Sequence, residues 1–198
     1  MDSKNGEFIR QVSSFRASIS SDPSSAHAPE SNRYHLFVSY ACPWAHRTLI
    51  TLYLKHLDPH ISYSVVHWHL GSNGWRFGYA NERAESPEIA IAPEAVAGAH
   101  YLRDVYFKAE PGYDARFTVP VLWDKKQNTI VNNESSEIIR MMYHEFDSLL
   151  KDGDEAKGKT FYKEQDREKI DELNEWIYDK INNGGLILVY HNGLCFGG

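Results

Sequence analysis

The stretch that most constrains this chain is a strand-like run delivered straight into a cysteine, a proline and a helix. Tyr34 to Val38 reads as a strand, and Thr48 to Leu57 places Leu49, Ile50, Leu52, Tyr53 and Leu57 at helical spacing. Between them stands Tyr40-Ala41-Cys42-Pro43-Trp44-Ala45-His46-Arg47, so Cys42 sits where the strand hands over to the helix. Pro43 suits the first helical position, where a backbone N–H would have no partner anyway. A thiol at a helix N-terminus faces unpaired N–H groups and the positive end of the dipole, which favour the nucleophilic thiolate. A dithiol motif would carry its second cysteine at position 45, which is Ala45 here. A thiolate that attacks a sulfur at Cys42 therefore needs an outside thiol for its release. The plain alternative is a buried structural cysteine, and the strand–Cys-Pro–helix setting weighs against it.

Bulk properties narrow the class. A formal net charge of -6 over 198 residues argues against nonspecific nucleic-acid binding, which leans on basic surface. No apolar run approaches a membrane span, and Met1-Asp-Ser-Lys-Asn-Gly-Glu7 lacks the apolar core of a secretory signal. Two cysteines, Cys42 and Cys195, make no disulfide framework, and the sequon Asn133-Glu-Ser135 is read as unused. A reducing, cytoplasmic setting is expected.

Along the chain, residues 1–30 read as an extended arm. Residues 31–150 supply strand, helix, strand (Ile61 to Val66), a long irregular insert and a short helix from Tyr101 to Lys108. Two strands follow, Val119 to Trp123 and Thr129 to Val131, joined by a polar turn, and a helix from Ser135 to Phe146 closes the unit. This predicts an α/β domain with a mixed sheet in the thioredoxin-like order β-α-β-α-β-β-α. Residues 151–159 read as a linker. Within 160–183, Ile170, Leu173, Ile177 and Ile181 recur at helical spacing and predict the first helix of a second, helical domain.

The cysteine motif resembles that of glutathionyl-hydroquinone reductases, the Xi-class, Omega-like glutathione transferases. Gly71-Ser-Asn-Gly-Trp75, Arg116 to Asp124, Ile130 to Arg140 and Ile170 to Tyr178 are similar to the same family in order and rough spacing. The resemblance spans about residues 30–183. It implies a thioredoxin-like glutathione-binding domain followed by an all-helical C-terminal domain. Residues 184–198 match nothing in that pattern and read as an atypical tail. The expectation is a truncated or mis-spliced product, against a genuine short form whose tail packs as an extra strand.

The resemblance also implies roles for residues. Cys42 is the nucleophile, with glutathione as co-substrate and as the releasing thiol. Val119-Pro120 is expected in cis opposite the cysteine helix, presenting the Val119 backbone to the cysteinyl unit; a trans, strand-initiating proline is the alternative. Glu134 and Ser135 open a helix that would hold the γ-glutamyl end, although Asn133, Ser135 or Ser136 could simply cap it. Trp75 would cover glutathione. Arg103 is preferred over Arg116 for the glycyl carboxylate, since a guanidinium reads a carboxylate bidentately. His46 and Arg47 either add positive potential at the thiol or face solvent. His67-Trp-His69 lacks further ligands at useful spacing, so no metal is expected.

The implied activity is glutathione-dependent reduction of S-glutathionyl-hydroquinones through a Cys42–glutathione mixed disulfide. An Omega-like thioltransferase or dehydroascorbate reductase is one alternative, and a catalytically silent glutathione-binding fragment is another. Implied partners are glutathione and aromatic glutathione conjugates, with a homodimer allowed and neither nucleic acid nor membrane expected.

Overall fold

The computed structural model describes residues 3–4, 7–8, 13–79 and 89–182. The chain divides into two compact units, one of residues 13–160 and one of residues 1–12 with 161–198.

The larger unit is built on a four-stranded sheet in the order Ser62–Val65, Tyr34–Val38, Val121–Asp124, Thr129–Asn132. The strand β3 (Tyr34–Val38) runs parallel to β4 (Ser62–Val65), pairing His35 with Ser62 and Val38 with Val65. On its other side β3 is antiparallel to β5 (Val121–Asp124), which forms a hairpin with β6 (Thr129–Asn132). All five residues of β3 are buried, as a central strand covered on both faces requires. The helix α1 (Pro43–Leu54) packs along α3 (Ser135–His144), while α2 (Leu102–Ala109) approaches β6. This is the expected thioredoxin-like mixed sheet.

The α1 helix stops three residues short of the expected Leu57, and its last turn shows why. His56 adopts a left-handed φ of 50°. The His56 N–H then donates to Tyr53 O and the Leu57 N–H to Leu52 O, while Leu57 is fully buried. That is the Schellman arrangement, with histidine standing where glycine is usual. Lys55 at the helix end is completely buried. Its ammonium donates to Asp147 Oδ1 at 2.8 Å, Ala156 O at 2.6 Å and Lys159 O at 3.0 Å. Residues 151–159, read from sequence as a linker, are thereby fastened to the domain.

Residues 15–17 of the expected arm also pair with the sheet edge. The Ala17 N–H donates to Val131 O, Arg16 bridges Asn132 in antiparallel sense, and Ile19 is buried.

His35 is placed within β3 between two serines of β4, with Nδ1 2.8 Å from Ser62 Oγ and Nε2 2.9 Å from Ser64 Oγ. Burial, with a smaller push from the Lys125 charge, lowers its pKa to about 4. The folded protein thus resists a proton that the unfolded chain accepts near pH 6.5. Stability should be fully present above about pH 6.5 and fall by about 3 kcal/mol as the pH drops to about 4. Urea unfolding across this window should show that decline, and a His35→Gln variant should flatten it. An equally steep decline in the variant would remove His35 as the cause.

The smaller unit contains a two-stranded antiparallel pairing of β1 (Ser3–Lys4) with β2 (Glu7–Phe8) and the helix α4 (Arg167–Ile177). The periodic stretch is helical over residues 164–182, though not α-helical throughout. A 3-10 turn at Glu164–Asp166 precedes α4, a π turn at Tyr178–Asn182 follows it, and Tyr162 OH binds Asp171 Oδ2 at 2.5 Å. Leu173 and Ile181 of the apolar stripe are about half exposed, at 48% and 54%. The expected tail, with Cys195, lies outside the described residues.

Candidate functional site

Cys42 is the N-cap of α1, with extended backbone dihedrals and Pro43 at the first helical position. Its thiol makes no bond to its own helix. Instead Sγ faces Val119 O across the domain at 3.8 Å, and the Val119–Pro120 peptide bond is cis. The stretch before that bond is fixed from behind. The buried Tyr106 of α2 donates its hydroxyl to Thr118 O at 2.8 Å and accepts from Asn133 Nδ2 at 3.1 Å. Cys42, Val119 and Pro120 therefore meet, although they are about 77 residues apart in sequence.

A second group forms where β6 turns into α3. Glu134 is the N-cap of that helix, and its Oε1 accepts from Ser136 N at 3.4 Å and from Ser136 Oγ at 3.2 Å. The cap thus falls on Glu134, not on Asn133, Ser135 or Ser136. Asn133 is turned inward toward Tyr106, and Ser135 is buried. Arg47, one turn beyond Cys42, reaches this group. Its Nε and Nη2 donate to Ser135 Oγ at 3.0 and 2.6 Å, and Nη2 lies 3.8 Å from Glu134 Oε1. The same guanidinium rests on the Trp44 ring, 5.0 Å from its centroid. Because Ser135 Oγ accepts from Arg47, its own hydrogen is available for a further acceptor. His46 is exposed, so the two basic residues after the thiol have different surroundings.

Trp75 and Arg103 form a third group. The Leu102 N–H donates to Trp75 O at 2.8 Å, and Arg103 Nη1 donates to Asn73 Oδ1 at 3.1 Å. The Arg103 guanidinium lies 4.8 Å from the Tyr101 ring centroid. The tight turn from Gly71 to Gly74 relies on a φ of 85° at Gly74, which a side chain would resist. Trp75 is half-buried against the core. Arg116, the other arginine considered, is exposed, with its carbonyl accepting from Tyr113 OH at 3.0 Å.

His67 and His69 lie beyond the end of β4. There His67 stacks on Trp68, and the His69 N–H donates to His67 Nδ1. Among the described residues no three His, Cys, Asp or Glu side chains gather as a metal site, and no helix is long and apolar enough to cross a membrane.

Fold and site together define a thioredoxin-like domain in which a cysteine at a helix N-terminus faces a cis-proline loop. Residues 41–145 match the family model "Glutathione S-transferase, N-terminal domain", and the chain belongs to the glutathione S-transferase family. It is 51% identical to "Glutathione S-transferase omega-like 2" of Schizosaccharomyces pombe, over 98% of this chain and 57% of that protein. It is 45% identical to "Glutathionyl-hydroquinone reductase YqjG" of Escherichia coli, over 92% of this chain and 54% of that protein. Among solved structures, the Xi glutathione transferase ECM4 of Saccharomyces cerevisiae in complex with glutathione superposes with a TM-score of 0.81 at 42% identity. That match covers 97% of this chain and 60% of ECM4. The homologues are thus Xi-class transferases and glutathionyl-hydroquinone reductases, and the chain spans little more than half their length.

Proposed function

We propose that this chain carries the glutathione site of a glutathionyl-hydroquinone reductase and that Cys42 is its nucleophile. The observation that carries the reading is the Cys42 thiol held across from the Val119 carbonyl at a cis-proline, with no second cysteine at position 45. The Val119 backbone would pair with the cysteinyl unit of glutathione, bringing the glutathionyl sulfur to Cys42 Sγ. The N–H groups opening α3 and the Ser135 hydroxyl would take the γ-glutamyl carboxylate, and Glu134 the ammonium. Trp75 would cover the tripeptide, and Arg103 or Arg116 would meet the glycyl carboxylate. Arg47 would be a positioning residue that fixes Ser135.

In the first step the Cys42 thiolate attacks the glutathionyl sulfur of an aromatic conjugate. A sulfur–sulfur bond forms, the carbon–sulfur bond breaks, and its electron pair goes to the ring carbon, which takes up a proton. The hydroquinone leaves reduced, and Cys42 remains as a mixed disulfide. A second glutathione thiolate then attacks that disulfide, giving oxidised glutathione and free Cys42. The names of the relatives also support an Omega-like thioltransferase reading, which shares the second step and differs in the substrate of the first. Exposure of the protein to oxidised glutathione should place one glutathionyl adduct on the peptide containing Cys42. Adduct on Cys195 with Cys42 untouched would refute the assignment. Turnover of a glutathionyl-hydroquinone, compared with hydroxyethyl disulfide and dehydroascorbate, separates the two substrate readings.

A further inference from the structure

We infer that the arm segment Ser13 to Ile19 is a positioning strand for the glutathione site, an inference that rests on the reading above. The segment joins the outer edge of β6 as an added extended stretch. The Ala17 N–H donates to Val131 O at 3.0 Å, and the Asn133 N–H donates to Phe15 O at 3.2 Å. Two backbone bonds therefore flank the Val131–Asn133 link that leads into the Glu134 cap.

Side chains extend the brace to both halves of the site. Arg16 grips Glu137 in the first turn of α3, with Nε 2.7 Å from Oε2 and Nη2 on Oε1. Asn132 Nδ2 donates to the same Glu137 Oε2 at 2.8 Å and to Ala17 O at 3.0 Å, while its Oδ1 accepts the Glu134 N–H at 2.7 Å. Ser13 Oγ donates to Glu134 Oε2 at 3.4 Å. The arm thus holds Glu134 directly at its carboxylate and, through Asn132, at its backbone N–H. On the other half, the Phe15 ring packs edge-on against Tyr106 at 5.8 Å, and Tyr106 holds Thr118 O just before the cis bond. One segment touches the supports of both the γ-glutamyl end and the cysteinyl end.

The electrostatics agree with the geometry. The Arg16 hydrogen bonds hold the Glu137 carboxyl below its ordinary range against the opposing effect of burial. An ionised carboxylate in the first turn of α3 favours the helix dipole but opposes a ligand carboxylate at the same end. Arg16 offsets that charge, so Glu137 can order the link without repelling the ligand.

The test is glutathione affinity of the full chain, read by quenching of tryptophan fluorescence at a temperature where every variant is folded. Amide exchange over residues 132–137 is followed in parallel. Arg16→Ala should raise the Kd about tenfold and speed exchange at Glu134, and Arg16→Lys should recover about half of that loss on a logarithmic scale. Should Arg16→Ala not fold, Ser13→Ala, which deletes one hydroxyl, should still raise the Kd about threefold. Variants that unfold at lower temperature yet bind glutathione as tightly as the unvaried chain would overturn the positioning role alone. Failure of the unvaried chain to bind glutathione overturns the glutathione-site reading and this inference with it.

Discussion

Replacing Cys42 with serine should lower glutathione-dependent turnover by about 10³-fold or more and abolish the glutathionyl adduct. Serine keeps nearly the same volume and loses only a long, weak S–H contact to Val119 O, so the helix start and the cis-proline loop should be undisturbed. What is lost is the sulfur. A hydroxyl at neutral pH is not ionised and does not form a disulfide, so neither step of the exchange can proceed. Noncovalent binding of glutathione depends on Val119, Glu134, Ser135 and Trp75 in the proposed site and should stay within about twofold. Turnover, adduct mass and Kd should be measured on one preparation. Retained turnover in Cys42→Ser would place the chemistry elsewhere, and loss of glutathione binding would show that the thiol holds the ligand as well as attacking it.

The thiol was legible in sequence because local rules fixed its surroundings. An apolar run, Cys-Pro and a helical repeat leave few ways to place residue 42, and the structure puts it at the N-cap. The sheet order was legible for a similar reason, since strands and helices alternate before a polar hairpin. Arg47 was not legible. Its position in the pattern suits either solvent or site, and only packing of α1 against α3 brings it to Ser135, 88 residues away. The cap on α3 misled differently. Asn133 and the serines have better N-cap propensities than glutamate, but Asn133 is drawn inward by Tyr106 and leaves the role to Glu134. The arm shows the same limit. Its composition lacks periodicity, so nothing local reveals that Phe15, Arg16 and Ala17 meet β6 and α3. Contacts that span more than a hundred residues fix what propensity leaves open.

Replacing Asp124 should produce the largest loss of stability. This residue ends β5 with no exposed surface, and Arg33 addresses it with Nε 3.1 Å from both oxygens and Nη2 2.6 Å from Oδ2. His27 Nδ1 lies 2.9 Å from Oδ2, and the N–H groups of Lys126 and Gln127 donate to Oδ1 at 2.9 and 3.2 Å. Burial raises the carboxyl pKa, but the bonds from Arg33, His27 and Gln127 outweigh it and hold the group below its ordinary value. Asp124→Ala leaves the buried Arg33 with only the longer, partly exposed Glu30 contact at 3.7 Å as counter-charge and the hairpin turn without its acceptor. The cost should be about 3–5 kcal/mol, or roughly 6–20 °C in Tm for a protein of this size. Asp124→Asn keeps an acceptor for the turn and should lose less. The sign of the pH effect follows from the lowered pKa. Stability from Asp124 is present above about pH 4 and is lost as the pH falls further, below the window in which His35 acts. Acid unfolding should therefore weaken the protein in two stages, the upper one removed by His35→Gln and the lower one, which Glu137 shares, reduced by Asp124→Ala. Arg33 Nη2 and Gln127 Nε2 both hold Ala26 O, so exchange over residues 26–28 should quicken in Asp124→Ala before the sheet opens. Unchanged Tm and unchanged exchange there would mean that Arg33 finds another partner, and the ion pair would then contribute orientation without stability.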